Sequence, residues 1–307
     1  MEKVIVVIGP TSVGKTKMGV ALAKKFNGEV ISGDSMQIYK QMDIGTAKVT
    51  EEEKEGIIHH CVDILNSDET YSVHDFQQTV RKKITEIAQR GHVPIIVGGT
   101  GLYIKASLYD YQFDEMENDH HAINEKYKDY TNEQLHDHLK SIDEESAKTL
   151  HFNNRRRVLR AIEIYETTGK RKSEMLEEQE HICLYDAYFV GLTLPRDVLY
   201  ERINKRVDVM MENGLKEEME RLYSQGLTRN HQSMKAIGYK EWFDYYDHQI
   251  DLNDVLELIK KHSRQYAKRQ YTWFKNQFDV HWYDVNLENF EQTIEQVTDD
   301  IEKILKV

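Results

Sequence analysis

An apolar segment that runs directly into Gly-x-x-x-x-Gly-Lys-Thr is the feature that most constrains how this chain can fold. An apolar strand, a glycine-rich loop and a helix in this order are typical of a P-loop, whose backbone N–H groups and helix N-terminus bind phosphate. The ammonium group of Lys15 adds a positive charge, and the hydroxyl of Thr16 can bind a phosphate-bound Mg²⁺. The motif predicts a site for a di- or triphosphate, without specifying its ester, formed by Gly9, Pro10, Thr11, Ser12, Val13, Gly14, Lys15 and Thr16.

The composition limits the class of protein. The chain has 307 residues, of which 31% are charged and 39% hydrophobic, and only three are proline, as in helix-rich globular proteins. No apolar run is long enough to cross a membrane, and the N-terminus leads directly into the first strand without room for a signal peptide. Cys61 and Cys183 are far apart and form no Cys-x-x-Cys motif. We therefore expect a cytoplasmic protein with no membrane segment, disulfide or zinc site.

The charge is distributed unevenly along the chain. The net charge is -12, which by itself disfavours a nucleic-acid partner. However, residues 258–278 contain six basic residues and no acidic one, and residues 148–162 contain five basic residues and no acidic one. Such segregation on an acidic protein predicts two surfaces that bind a polyanion. The alternative is that both are solvated helix faces whose charges pair with acidic residues elsewhere.

A second predicted strand, residues 29–32, ends at Gly33-Asp34-Ser35-Met36-Gln37. Ligands of open parallel sheets bind at the carboxyl ends of the strands, so Asp34 is expected near the phosphate site. Its carboxylate can act as a general base or hold a metal through water, whereas a helix N-cap is the alternative. Asp34 is therefore the first catalytic candidate, with Ser35 and Gln37 as weaker candidates beside it.

Residues 93–103 form another apolar strand that enters a glycine-rich turn, Gly98-Gly99-Thr100-Gly101. The backbone of this turn and the Thr100 hydroxyl are expected to face the P-loop and to donate to the same anion. Neither this strand nor the later one at 188–194 is followed by the aspartate that usually holds the metal in ATPases and kinases. This argues against a motor-type ATPase.

Two arginines, Arg202 and Arg206, lie four residues apart in a predicted helix at 197–214. In P-loop kinases, arginines of a lid approach the transferred phosphates, so by analogy Arg206 is a candidate contact to pyrophosphate. The alternative is a surface arginine paired with Asp208 or Glu212. The His59-His60 pair is interpreted as structural or substrate-shaping, because adjacent residues of a strand point to opposite faces and do not share a metal.

These elements predict an α/β fold, with a P-loop NTPase-like parallel sheet flanked by helices and a mainly helical insertion domain. The catalytic core comprises residues 1–111 and 184–307, and the insertion comprises residues 112–183, which show no convincing strand pattern. Within the insertion, Arg156 and Arg160 share a helix face that can hold phosphates or a nucleic-acid backbone. In the core, the predicted helix at 259–274 places Arg264 and Lys268 on one side among aromatic residues, which favours contact with unpaired RNA bases.

The motifs together resemble those of the bacterial tRNA dimethylallyltransferases, also called tRNA isopentenyltransferases. They follow the family's order over nearly the whole chain, and only the P-loop is specific alone. Three departures are visible: Met36 stands where many members have arginine, Gly33 where alanine is usual, and Ser12-Val13 where Ala-Ser is usual. The matching segments are 9–16, 32–39, 45–48, 59–63, 97–103, 157–163, 235–241 and 266–274.

The resemblance implies transfer of a dimethylallyl group from dimethylallyl diphosphate to N6 of the adenosine 3′ to the anticodon (position 37) of tRNA, which gives N6-isopentenyladenosine and pyrophosphate. It implies Mg²⁺ as cofactor, bound through Thr16, and contact of the insertion with the anticodon stem-loop. We expect a monomer, although the sequence does not specify the oligomeric state. The catalytic residues would be Asp34 as base, with Thr100 and Arg206 on the leaving group. The residues expected to contact tRNA are Asp34, Ser35, Met36, Gln37, Thr100, Arg156, Arg157, Arg160, Lys268, Arg269 and Gln270.

Two other functions are compatible with a P-loop. One is a kinase that phosphorylates a nucleotide or small metabolite, and the other is a non-catalytic RNA-binding ATPase. Both predict consumption of ATP, whereas prenyl transfer predicts release of pyrophosphate from an allylic diphosphate. The sequence does not specify which tRNAs are modified or whether ATP also binds the P-loop.

Overall fold

A computed structural model describes residues 1–111, 113, 120–177 and 181–305 of the chain. The chain divides into two compact units. The first unit comprises Met1–Tyr109 and Cys183–Val307, and the second comprises Asp110–Ile182. The second unit corresponds to the stretch without strand patterns that the sequence places at 112–183. Cys61 and Cys183 are free thiols, and among the described residues no helix is both long and apolar enough to cross a membrane.

The strands of the first unit are β1 (Lys3–Ile8), β2 (Gly28–Ser32), β3 (His59–His60), β4 (Val93–Gly98), β5 (Asp186–Thr193) and β6 (His281–Asp284). They form one sheet in the order β3-β2-β4-β1-β5-β6, and every neighbouring pair is parallel. In the central strand, Ile5 is paired with Ile95 on one side and with Tyr188 on the other. The predicted α/β class with a parallel sheet is confirmed.

The helices, in chain order, are α1 (Lys15–Lys25), α2 (Glu51–Lys54), α3 (Val73–Gln89), α4 (Gly101–Leu108), α5 (His120–Lys126), α6 (Asn132–Ile142), α7 (Glu144–Thr149), α8 (Arg155–Thr168), α9 (Lys172–Glu177), α10 (Arg196–Glu212), α11 (Leu215–Ser224), α12 (Trp242–Tyr246), α13 (Leu252–Gln277) and α14 (Phe290–Leu305). Helix α13 begins earlier than predicted because the Asp251 and Asp254 side chains form a capping box at its start.

Both faces of the central strands are buried, which explains why β1 and β4 are almost continuously apolar. On one face Val4, Val6 and Ile8 join a core that includes side chains of α3, α4 and α11. On the other face Ile5 and Val7 join a core that includes side chains of α1, α10 and α14. The two cores hold β1 at the centre of the unit, so the loop that follows β1 is fixed by packing on both sides.

The order of the strands determines where a ligand can bind. The chain leaves β1 through α1 to reach β2, and β4 later inserts between them, while β5 lies on the other side of β1. Parallel sheets bind ligands at such a switch point, outside the carboxyl ends of the strands. The P-loop after β1, the 33–37 turn after β2 and the 98–101 turn after β4 lie at this edge.

The second unit contains α5 to α9 and, among its described residues, no strand, so its predicted helical character is confirmed. Its core is formed by apolar side chains of α5 to α8, which include Leu135, Leu139 and Val158. Arg155, the first residue of α8, donates from its guanidinium to the carbonyl oxygens of Tyr127 and Tyr130, at 2.7 Å each. This arginine therefore ties α8 to the segment that follows α5.

Candidate active site

The P-loop adopts a backbone that only glycine accepts easily. Gly9 and Gly14 have φ angles of +147° and +103°, in the left-handed region that L side chains rarely adopt. A Cβ at Gly9 would lie 2.6 Å from the carbonyl oxygen of Leu192, and one at Gly14 would lie 2.8 Å from the Phe290 ring. Gly14 is also the N-cap of α1. The glycines thus allow the loop to place the N-terminus of α1 at the sheet edge.

Lys15 is a half-buried cation, and no acidic side chain among the described residues forms an ion pair with it. Its Nζ atom donates to the carbonyl oxygen of Pro10 at 2.7 Å. Desolvation and the positive charge of Arg206 lower its pKa to about 7, while the carboxylate of Asp34 acts in the opposite direction. A bound anion would supply the negative charge that this ammonium group lacks.

Asp34 caps the turn after β2 and borders the cavity. Its Oδ1 atom accepts the N–H groups of Met36 at 2.8 Å and Gln37 at 3.3 Å, so it caps the turn after β2. Its side chain also lines the cavity described below. Desolvation raises the pKa of this carboxyl, although the two backbone hydrogen bonds and the charges of Lys15 and Arg206 oppose the rise. A carboxylate in this environment is more basic than an aspartate in water.

Thr100 holds the second glycine-rich turn against the Asp34 turn. Its Oγ1 atom accepts the N–H group of Ser35 at 3.2 Å and lies 3.3 Å from the Ser35 hydroxyl, and its own N–H group donates to Gly33 at 3.2 Å. A Cβ at Gly98 would lie 2.3 Å from the Gly33 carbonyl oxygen, so the two turns are in close contact. Thr100 therefore lies beside Asp34, with its hydroxyl engaged by Ser35.

Gln37 connects the Asp34 turn to the loop at 43–48. Its Oε1 atom accepts from the Ser32 hydroxyl at 3.0 Å, and its Nε2 atom donates to the carbonyl oxygens of Thr46 and Ala47 at 3.4 and 3.3 Å. The neighbouring Met36 side chain is half-buried against the core and lines the cavity. Position 36 thus contributes an apolar surface to the site.

Arg206 lies against the P-loop instead of forming the surface ion pair considered as the alternative. Its Nη1 atom is 3.2 Å from Thr11 Oγ1 and 3.5 Å from Ser12 Oγ. Asp208, its possible partner, pairs with Lys260 at 2.8 Å. Arg202 donates to the Ser12 carbonyl oxygen at 3.0 Å, one turn before Arg206. Helix α10 therefore brings two guanidinium groups to the phosphate loop.

Helix α13 contributes a buried amide and exposed cations. Gln270 is buried, and its Nε2 atom donates to the Gly99 carbonyl oxygen at 2.9 Å while its Oε1 atom accepts from Thr11. Arg269 lines the cavity and lies 5.7 Å from the centre of the Tyr266 ring. Lys268 is exposed and makes no ion pair with the described residues. Of the three, Gln270 connects parts of the site, whereas the two cations face outward or into the cavity.

These segments enclose a cavity of about 820 Å³ within the first unit. Eight basic and two acidic residues line it, so it favours an anionic ligand. Its apolar lining includes Met36, Val207 and Ile259. Gly9, Pro10, Val13, Thr100 and Lys268 lie outside its lining. The charged lining residues are Lys15, Lys17, Arg202, Lys205, Arg206, Lys235, Lys240, Arg269, Asp34 and Glu53.

The second unit carries its own basic surface on α8. Arg156 and Arg157 are exposed and have no acidic partner among the described residues. Arg160 pairs with Glu163 at 2.9 Å and is half-buried. The pKa of Lys172 is lowered by desolvation and then by the charge of Arg157, while Asp143 acts in the opposite direction.

Several functional candidates had no clear sequence signal. Arg202 was visible only through its spacing from Arg206, and Tyr239 only as part of the matching segment 235–241. Glu218, which accepts from the 43–45 backbone and from Tyr239, was not predicted. The Nε2–H group of His60 donates to the Glu29 carboxylate at 2.6 Å, which is a structural contact. Within the described residues, no group of three His, Cys, Asp or Glu side chains is arranged to hold a metal.

Comparison with known proteins places this site in a family context. The family model described as IPP transferase matches residues 37–277. The tRNA dimethylallyltransferases of Bacillus cereus (strain AH187) and Bacillus anthracis are each 54% identical over 287 residues, which cover 92% of this chain and 90% and 91% of theirs.

Solved structures agree with these matches. The tRNA isopentenylpyrophosphate transferase of Staphylococcus epidermidis is 47% identical, with a TM-score of 0.74 and 99% of both chains covered. A eukaryotic dimethylallyltransferase acting on tRNA is 33% identical, with a TM-score of 0.86 over 99% of this chain and 79% of that chain. The family model spans most of the chain, and the sequence and structural similarities extend over nearly all of it. The chain therefore belongs to the IPP transferase family.

Proposed function

We propose that this protein is a tRNA dimethylallyltransferase, which transfers a dimethylallyl group to N6 of adenosine 37 of tRNA. The observation that carries this proposal is the 54% identity, over 92% of the chain, to proteins named tRNA dimethylallyltransferase. The enzyme is a prenyltransferase, with dimethylallyl diphosphate as donor and pyrophosphate as leaving group. The kinase alternative is not favoured, because none of these relatives is named as a kinase.

The charges of the cavity support a diphosphate as ligand. Lys15, Arg202 and Arg206 converge on the P-loop, and the desolvated ammonium of Lys15 and the desolvated guanidinium of Arg206 gain most from an anion. Apolar side chains such as Val207 and Ile259 line the same cavity and can contact a hydrocarbon chain. The cavity thus offers both surfaces that a prenyl diphosphate requires.

The reaction is an alkyl transfer. The exocyclic nitrogen of adenine attacks the first carbon of the allyl group, a new C–N bond forms, and the C–O bond to the diphosphate breaks with its electron pair leaving on oxygen. Asp34 accepts the proton that the nitrogen loses, which its desolvated carboxylate favours. Lys15 and Arg206 stabilise the negative charge that develops on the departing pyrophosphate. Thr100 keeps the Asp34 turn in place through Ser35.

The residues present fit a magnesium ion that binds mainly through the diphosphate. The Thr16 hydroxyl borders the cavity and makes no hydrogen bond with the described residues, so it is available as an oxygen ligand. The scarcity of clustered carboxylates among the described residues agrees with an ion whose other ligands are phosphate oxygens and water. When bound there, Mg²⁺ would neutralise charge on the leaving group.

The tRNA is proposed to contact both units. Because the target amine is stacked inside the anticodon loop, the adenosine must leave the stack to reach Asp34. Lys268 and Arg269 of the first unit, and Arg156 and Arg157 of the second, are cations without acidic partners among the described residues. Such cations bind the phosphate backbone.

One incubation tests the proposed function. The protein, dimethylallyl diphosphate, MgCl₂ and an unmodified tRNA that contains adenosine 37 are combined, and pyrophosphate release and the mass of the digested nucleosides are measured. We expect equimolar pyrophosphate and N6-isopentenyladenosine. A parallel reaction contains ATP in place of the allylic diphosphate. ATP turnover without prenyl transfer would show that the protein is a kinase or ATPase.

A further inference from the structure

Glu218 is a buried carboxylate that the catalytic scheme does not use. It lies on α11 and only 2% of the residue is exposed. Its Oε2 atom accepts the N–H groups of Asp43 and Ile44, each at 2.9 Å. Its Oε1 atom accepts the N–H group of Gly45 at 3.0 Å and the hydroxyl of Tyr239 at 2.6 Å. Four donors therefore converge on one side chain, and three of them belong to consecutive residues.

Burial of the Glu218 carboxylate costs free energy that its hydrogen bonds must offset. Glu218 forms no ion pair with a basic residue in the described part of the chain, so its charge is balanced only by dipoles. A buried charge of this kind is stable only when its hydrogen bonds are complete. Burial, together with the charge of Glu218, raises the pKa of Tyr239, so this phenol stays protonated and remains a donor. The 43–45 backbone is thus folded around the carboxylate.

The loop is also fixed by close packing. A Cβ at Gly45 would lie 2.6 Å from the Tyr239 ring, so glycine is required where the loop passes this ring. Gly238 approaches the same segment, since a Cβ there would lie 3.3 Å from the Gly45 carbonyl oxygen. Glu218 and Tyr239 therefore determine how close the loop lies to α11 and to residue 238.

A continuous chain of hydrogen bonds leads from this loop to Asp34. The residues after Gly45 present the carbonyl oxygens of Thr46 and Ala47 to the Gln37 amide. The N–H group of Gln37 in turn donates to Asp34 Oδ1. Gly45, Thr46, Gln37 and Asp34 all line the cavity. The loop therefore contacts the turn that contains Asp34 and fixes its position through Gln37.

We infer that Glu218 is a positioning residue for transfer: by holding the 43–45 backbone, it fixes the Gln37 and Asp34 turn in the geometry that accepts the proton of the substrate amine. This inference rests on the proposed function, because the kcat that it concerns is that of prenyl transfer. It predicts that loss of Glu218 lowers kcat, because small displacements of a reacting group are costly, by about 10- to 100-fold. Binding of pyrophosphate at the P-loop is expected to be unchanged, since no residue of that loop contacts Glu218.

The test uses Glu218→Gln in the full chain, with Tyr239→Phe as a milder variant that removes one donor and leaves the carboxylate. Glu218→Gln keeps the shape of the side chain but places an amide N–H group against backbone donors. We expect kcat to fall strongly in Glu218→Gln and less in Tyr239→Phe, with an unchanged Kd for inorganic pyrophosphate. Amide hydrogen exchange should accelerate at Asp43, Ile44 and Gly45 in both variants.

Glu29→Gln is the matched control. Glu29 is equally buried, at 2%, and is held by Arg90, His60 and His92 near the opposite end of β2. This variant should lose stability without a fall in kcat of the folded enzyme. Equal kcat losses in both glutamine variants, or wild-type kcat in Glu218→Gln with unchanged amide exchange at 43–45, would overturn the inference. A wild-type protein that forms no prenylated tRNA would instead refute the proposed function, whereas the exchange measurement would still decide whether Glu218 anchors the loop.

Discussion

The Oε1 atom of Gln270 accepts a hydrogen bond from the backbone nitrogen of Thr11 at 3.0 Å, across 259 positions of sequence. The Nε2 atom of the same side chain donates to Gly99, and a Cβ at Gly99 would lie 2.2 Å from that atom. One amide therefore joins the P-loop to the second glycine-rich turn. This explains why Gln270 is buried although its neighbours Lys268 and Arg269 are exposed.

Gln270→Ala should weaken both stability and pyrophosphate binding. It leaves the partly buried N–H group of Thr11 without this acceptor, at a cost of about 1 to 3 kcal/mol. It also leaves the Gly99 carbonyl oxygen with only the Tyr266 hydroxyl, at 3.4 Å, as a side-chain donor. We expect a lower unfolding temperature and a higher Kd for inorganic pyrophosphate, measured by calorimetry. Gln265→Ala, at an exposed position of the same helix, is the control and should match the wild type. An unchanged pyrophosphate Kd in Gln270→Ala would contradict the bridging role.

Asp34→Asn should abolish most of the transfer while preserving the fold. Removal of a general base typically costs about 10²- to 10⁴-fold in rate, and the asparagine oxygen can still accept the turn N–H groups of Met36 and Gln37. Single-turnover rates on an anticodon stem-loop measure the effect. Asp68→Asn, at an exposed position, is the control. Near-wild-type transfer by Asp34→Asn would exclude this residue as the base.

The rate should depend on pH through Asp34. Desolvation raises the pKa of this carboxyl above 3.8, and only its ionised form accepts a proton. The rate is therefore expected to fall about tenfold per pH unit below this raised pKa and to be level above it. An acid limb at the ordinary aspartate pKa, or its persistence in Asp34→Asn, would contradict the assignment.

Asp34 should also cost stability at neutral pH. Because its pKa is raised in the folded state, the folded protein binds this proton more tightly than the unfolded chain does. Protonation of Asp34 therefore adds to the free energy of unfolding below the pKa of the unfolded chain, and this stabilisation is lost as the pH rises through the pKa of the folded protein. We expect Asp34→Asn to unfold at pH 7 at a temperature no lower than that of the wild type. A clear loss of stability would show that the charge itself supports the fold.

Arg206→Ala should weaken pyrophosphate binding more than Arg196→Ala. Arg206 is desolvated against Thr11 and Ser12, whereas Arg196 of the same helix is exposed and stacks on Tyr200. A desolvated guanidinium that meets an anion forms strong charge-assisted hydrogen bonds, so an increase of about 10- to 100-fold in Kd is expected. Arg206→Lys should restore little, because lysine lacks the planar fork. Equal effects of the two alanine variants would contradict a direct contact.

The basic residues of α8 should separate into two classes. Replacement of Arg156 and Arg157 by alanine should weaken tRNA binding and reduce the dependence of log K on log salt by about 1 for each lost phosphate contact. Arg155→Ala should instead destabilise the second unit, because this guanidinium holds the carbonyl oxygens of Tyr127 and Tyr130. Filter binding at several salt concentrations and thermal unfolding distinguish the two. An unchanged salt slope in the double variant would exclude this face from tRNA contact.

Much of the fold and part of the site follow from local sequence signals. The P-loop, the apolar strands and the turn glycines depend on residues close in sequence, since φ preferences and two-sided burial of strands are local properties. Because parallel strands bind ligands at one edge of the sheet, the position of Asp34 and the 98–101 turn near the P-loop was also predictable. The reaction, prenyl transfer, was inferred from the family resemblance, because the spacing of residues does not indicate which group is transferred.

Only the tertiary structure decided which polar side chains join these parts. Glu218 lies in a charged helical run and resembles a solvated residue in sequence, yet it is buried under the 43–45 loop. Gln270 follows two exposed cations, yet it connects Thr11 to Gly99. The pKa shifts of Lys15 and Asp34 arise from desolvation among segments far apart in the chain. Burial and hydrogen bonding between residues far apart in the chain depend on how the elements pack. The local sequence therefore determined the P-loop, whereas packing determined which side chains surround it.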